Sequence, residues 1–172
     1  MSSVWKHPRG TRAGLNNLAS ASGLIPFQIY YLSDESRLAM ATTTSTYVVY
    51  SQDTDIAIPF VFDGGGSAIA ANSKIDLPDF PFDAILQRWT IVADVSGSAV
   101  VDILRSTFAN FPTVASIAGT AKPTLSAVQK SQNTTLTGWG STALAKGDVL
   151  RANIDSASTV TRLTITLWVR RA

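Results

Sequence analysis

Val160-Thr161-Arg162-Leu163-Thr164-Ile165-Thr166-Leu167-Trp168-Val169-Arg170 alternates apolar and polar side chains almost without a break. Leu163, Ile165, Leu167 and Val169 fall on one side; Arg162, Thr164, Thr166 and Arg170 fall on the other. A period of two over this length specifies a β-strand with one buried face. Shorter stretches upstream repeat the code. Residues 56–62 form an apolar run that stops at Gly64-Gly65-Gly66. Residues 84–94 and 99–104 flank Ser96-Gly97-Ser98, a small polar triplet that reads as a hairpin turn. Residues 133–136 and 148–154 complete the set, and only residues 124–132 suit one or two helical turns. Strands that follow one another through turns, without helices between them, predict an antiparallel β-sandwich or jelly roll for residues 53–172.

The chain before this region has a different texture. Thr11 is placed to cap a short helix over residues 12–19, with Leu15 and Leu18 on one face and Gly23 as the stop. Gly14 and two asparagines weaken such a helix, so it needs tertiary support. Residues 27–32 and 37–42 read as two strands joined by the polar turn Ser33-Asp34-Glu35-Ser36, and residues 43–50 as a third strand. Gln52-Asp53-Thr54-Asp55 then reads as a linker. The expected architecture is mainly β: a small N-terminal helix–hairpin module over residues 1–52, then the larger β domain over residues 53–172.

The composition narrows the function. Hydrophobic residues make up 45% of the 172 and charged residues only 15%, well below the usual share of about 25%. A chain so poor in charge either has few solvated helices or covers much of its surface with partners. Fourteen Lys and Arg against twelve Asp and Glu leave a net charge of +2. The cations are scattered apart from Lys6, Arg9 and Arg12 and the pair Arg170-Arg171, so no nucleic-acid stripe is formed. With no cysteine, disulfides and thiolate metal sites are ruled out. Residues 1–10 lack the apolar core of a signal peptide, and no apolar run reaches the length of a membrane helix. Neither a nucleic-acid partner nor membrane insertion is expected.

The inventory of reactive groups is short. His7 is the one histidine and sits in a segment without periodicity, which is poor ground for a general base. Gly64-Gly65-Gly66-Ser67 follows a strand but lacks the Lys-Ser/Thr pair of a phosphate loop. Asp53 and Asp55 lack the further oxygen donors of a calcium loop. Asp63, Asp76, Asp79, Asp83, Asp94 and Asp102 are carboxylates from which a glycosidase pair would have to be drawn, and spacing in sequence does not pair them. No catalytic residue, metal ligand or cofactor is therefore assigned. Contact residues remain. Trp139, between two glycines, and Asn110-Phe111 occupy loops from which an aromatic ring can stack on a sugar or a partner's apolar patch. The other use of Trp139 is to plug one end of the β domain. Phe27, Ile29, Tyr31, Leu38 and Met40 give the first module an apolar face for subunit contact.

Two stretches resemble proteins of tailed bacteriophages. Arg9-Gly10-Thr11, Leu15, Leu18, Gly23-Leu24-Ile25-Pro26-Phe27-Gln28-Ile29-Tyr30-Tyr31 and Ser33-Asp34-Glu35-Ser36-Arg37-Leu38-Ala39 form a pattern similar to the N-terminal module of phage tropism determinants and tail-fibre proteins. Ala93-Asp94, Val101-Asp102-Ile103, Phe108-Ala109-Asn110-Phe111-Pro112, Leu136-Thr137-Gly138-Trp139 and Gly147-Asp148-Val149-Leu150-Arg151 resemble a C-terminal module of phage tail and virion proteins. The resemblance implies a prism-like, intertwined homotrimer at the N-terminus and a place in the virion. It also implies a non-enzymatic role as tail-fibre or receptor-binding protein. The partners would be other virion proteins of tail or capsid and a host surface glycan or receptor. A head fibre or capsid decoration protein is the alternative, and a polysaccharide-degrading tail enzyme a more distant one.

Overall fold

The computed structural model describes residues 8–32, 37–50 and 54–172. His7, the turn at residues 33–36 and the linker positions 52 and 53 lie outside the described residues. The chain divides into two compact units, Met1–Gln52 and Asp53–Ala172.

In the first unit, strands β1 (Arg9–Gly10), β2 (Ile29–Leu32), β3 (Arg37–Ala41) and β4 (Tyr47–Tyr50) form a sheet in the order β1-β2-β3-β4. β1 runs parallel to β2, and the other pairs are antiparallel. Helix α1 (Arg12–Ser20) starts at Thr11, whose Oγ1 accepts the Gly14 amide at 3.1 Å and so satisfies one orphan donor of the first turn. The Gly23 amide closes the other end by donating to Leu18 O at 2.8 Å. Leu15 from α1 joins Leu24, Tyr30, Leu32, Ala39 and Ala41 in a small core, with Ala19 and Tyr47 packed against it. Strand alternation sends the intervening residues the other way.

The second unit contains β5 (Ile56–Asp63), β6 (Lys74–Leu77), β7 (Ala84–Thr107), β8 (Ala115–Ser116), β9 (Thr124–Asn133), β10 (Ala143–Leu144), β11 (Asp148–Ser158) and β12 (Arg162–Arg171). The main path is β5-β12-β7-β11-β6, and β8, β9 and β10 also pair with β7. Every pair is antiparallel. β7 organises the unit. β12 runs along its first half and β11 along its second half, from Ser98 to Thr107. The inward residues of all the long strands meet in one core, which includes Phe60, Phe62, Trp89, Ile91, Ile103, Leu150, Ile154, Leu163, Ile165 and Leu167. A single sheet gathers its apolar face into one core only by curling over itself. The unit is thus mainly β and curled. Its strands share one hydrogen-bonded sheet, so a sandwich or jelly roll is a finer description than the pairing itself gives.

Three local expectations are overturned. Ser96-Gly97-Ser98 is not a hairpin turn: β7 runs straight through it. Gly97 is needed there because the turn between β11 and β12 lies almost on its backbone. A Cβ at Gly97 would stand 2.4 Å from Thr159 Oγ1 and 2.6 Å from Ser158 O. Residues 124–132 are strand, not helix, because pairing with β7 outweighs local preference; Ala127 takes a positive φ of 54° where the register shifts. The strand expected at residues 133–136 is a turn. Asn133 Oδ1 accepts the Thr135 amide at 2.8 Å and the Leu136 amide at 3.1 Å, and so caps the end of β9.

Candidate functional site

The carboxylates decide whether hydrolysis is chemically available. Asp63 accepts the Gly65 amide at 2.8 Å, and Asp83 accepts the Lys146 amide at 2.8 Å. Asp76 holds Arg151 through two bonds of 2.6 and 3.0 Å. Asp102 is buried, accepts Ser116 Oγ at 2.6 Å and faces Lys122 Nζ at 2.9 Å. Lys122 also meets Asp155 at 2.6 Å, and these two carboxylates, Asp155 foremost, push its pKa upward. Asp94 takes the Thr161 hydroxyl and the amides of Thr161 and Arg162, the amides at 3.2 and 3.0 Å. The Thr161 hydroxyl is the largest cause of its pKa falling to about 2. A depressed carboxylate is a poor general acid at neutral pH. Among the described residues, no three His, Cys, Asp or Glu side chains come together to hold a metal ion.

The loops singled out in the sequence converge on the end of β7. Thr107 begins a 3-10 turn, Phe108–Asn110, and its hydroxyl accepts the Asn110 amide at 3.3 Å. Beyond that turn a cleft of about 390 Å3 is lined by Arg105, Ser106, Thr107, Asn110 and Thr113. A second opening of about 360 Å3 shares Arg105, Ser106, Thr107 and Ala115 and extends to Gly140, Ser141 and Asp148. The loop holding Gly140 is fixed to Ile117, whose carbonyl accepts the Gly140 amide at 2.9 Å. Arg105 donates to Ala143 O and lies 3.7 Å from the buried carboxylate of Asp148. The Ser106 hydroxyl is buried and has no hydrogen-bond partner among the described residues.

The individual candidates differ in placement. Asn110 is exposed in the cleft wall. Phe111 is 38% exposed, and the Arg151 guanidinium lies 5.1 Å from its ring centre. The ring of Trp139 packs against the core, and its Nε1 is buried without a partner among the described residues. Arg105, Ser106, Thr113 and Asp148 escape sequence reasoning, since nothing in their spacing joins residues 105–113 to residue 148. Gly147 with its positive φ just before Asp148 is the one local hint of a shaped turn there.

The first unit offers a surface of another kind. Register sets Ile29 opposite Met40 and Met40 opposite Val48, with Tyr31 opposite Leu38. These five side chains share the sheet face turned away from α1 and the small core. Leu38 and Val48 are exposed, and Ile29, Tyr31 and Met40 half-buried. Phe27, next to this sheet, is 78% exposed and has a φ of 64°. Exposed apolar side chains in such a row make this face a candidate contact surface.

No protein-family model and no curated protein matches the chain. Among solved structures, the capsid of Ralstonia phage GP4 aligns with 73% of this chain and 89% of that chain, at a TM-score of 0.46 and 14% identity. Likeness at that level decides neither fold nor function.

Proposed function

We propose that the chain is a non-enzymatic structural subunit of a phage particle, assembling as a homotrimer through the apolar sheet face of its first unit. The observation that carries this reading is the row Ile29, Leu38 and Val48 on the sheet face opposite the small core, continued by Tyr31, over whose ring the Arg9 guanidinium lies at 5.4 Å. Among the described residues six are buried in the core on the opposite face, and a sheet of such short strands is marginal in water by itself. Association supplies the missing burial. The Arg9-Gly10-Thr11 opening, the Gln28-Ile29-Tyr30 strand and the Arg37-Leu38-Ala39 return strand support the same reading through their resemblance to the trimeric prism of phage fibre proteins. The second unit is then a jelly-roll-like domain carried by the trimer, and the partners of the first are other virion proteins. Attachment to a tail or to the shell differs in copy number: a few trimers per particle on a tail, many tens on a shell.

Light scattering of the purified chain tests the assembly. A mass of three chains is expected, and Leu38→Glu should shift it towards one chain by burying a charge in the contact. A monomer at micromolar concentration overturns the reading. Incubation with host envelope glycans should release no new reducing ends. Steady release of oligosaccharide, abolished by a single Asp→Asn change, would make the chain an enzyme.

A further inference from the structure

The two openings at the end of β7 share the wall Arg105, Ser106, Thr107 and Ala115. Their volumes, about 390 and 360 Å3, lie in the range of small-ligand sites. The walls mix apolar surface from Val114, Ala115 and Ile117 with polar groups, and the charges among those groups are balanced. Arg105 brings the cation, and Asp148, 3.7 Å from it, brings an opposite charge. An anion placed beside Arg105 would therefore also face a carboxylate. Around this neutral pair stand hydroxyls and an amide: Thr107, Thr113, Ser141 and the side chain of Asn110. Some of their capacity is already committed. The Thr107 oxygen accepts the Asn110 amide, and the Ser141 hydroxyl donates to Ala143 O. The Asn110 carboxamide and the Thr113 hydroxyl are left with both donor and acceptor capacity, and Arg105 keeps N–H groups beyond the one given to Ala143 O.

A ligand that suits such a wall has many groups that each donate and accept, carries no net charge and is compact. Those are the properties of a sugar ring. Val114 and Ala115 in the same wall add apolar surface for the C–H face of such a ring. We infer that this cleft is a binding site for a neutral sugar, one or two residues of a cell-surface polysaccharide. The inference deepens the particle reading by giving it a host-facing ligand. It rests on one chain's cleft and not on self-association.

Titration of the intact protein with D-glucose, D-galactose and N-acetyl-D-glucosamine, followed by ligand-observed NMR, tests it, with sodium sulfate as a parallel arm. At least one of the sugars should bind in the millimolar range. Asn110→Ala and Thr113→Val should each weaken it by roughly 3- to 10-fold, the cost of one neutral hydrogen bond, with thermal unfolding unchanged. Binding should persist in Leu38→Glu, which separates failure of the cleft from failure of the trimer. Three results overturn the inference: no sugar bound at about 50 mM, sulfate bound in place of sugar, or sugar binding indifferent to both cleft variants.

Discussion

Gly97 and Asp94, three residues apart in the middle of β7, hold the turn that joins β11 to β12. Gly97 leaves room for it: a Cβ there would meet Thr159 Oγ1, Ser158 O and Val160 Cγ2, all within 2.7 Å. Because one of these atoms belongs to the backbone, the turn must move as a whole. Gly97→Ala should therefore cost about 1–3 kcal/mol, in the range of overpacked cores. Urea denaturation measures this, and an unchanged midpoint would mean the turn is free to shift. Asp94 binds the same turn by charge-assisted hydrogen bonds to Thr161 and Arg162. Its folded pKa, about 2, lies below that of an unfolded aspartate. Its stabilisation is therefore complete above the unfolded value of about 4 and is lost as pH falls from there through about 2. The stability difference between the natural chain and Asp94→Asn should be constant near neutral pH and shrink across that acid window. A difference independent of pH from 5 to 2 would contradict the role given to Asp94.

At the scale of elements, β12 was the most legible stretch of the sequence, and it is central in the fold. It lies between β5 and β7, and Leu163, Ile165, Leu167 and Val169 are fully buried. Ile165→Ala should cost roughly 2–5 kcal/mol, the lost transfer energy plus the cavity. A loss under about 1 kcal/mol in chemical denaturation would remove β12 from the core. The helix cap at Thr11 was equally legible, because a cap is a contact across three residues. The illegible elements each have their own cause. Ser96-Gly97-Ser98 has the composition of a turn, and only the distant Ser158 and Thr159 require that a glycine there continue the strand. Residues 124–132 lack clear alternation because their partner β7 shifts register twice along them. β1 has two residues and pairs in parallel with β2, which is too short a segment to carry a period.

For the whole molecule, composition pointed to a β-rich chain with covered surfaces but not to the order in which its strands pair. The path β5-β12-β7-β11-β6 joins strands over a hundred residues apart, and hydrophobic alternation is the same whichever neighbour a strand takes. The candidate sites follow this division. The apolar row of the first unit was readable because it lies on consecutive strands. The cleft was half readable: Asn110 was visible as a loop residue, whereas Arg105 and Asp148 meet only after β7 and β11 have paired. The two cores also differ: among the described residues the first unit buries six side chains, whereas the second unit's core is fed by every long strand.

The register between β5 and β12 has a mechanical side. Ile56, at the start of the second unit, lies opposite Val169, near its end. Tension applied between these two points bears on one end of the β5–β12 ladder, where the hydrogen bonds open singly, as the teeth of a zip do. A ladder pulled lengthwise resists with all its bonds at once; this one yields in succession. The second unit therefore resists a denaturant with its whole core, but a tug on residues 56 and 169 with little more than one pair of bonds at a time.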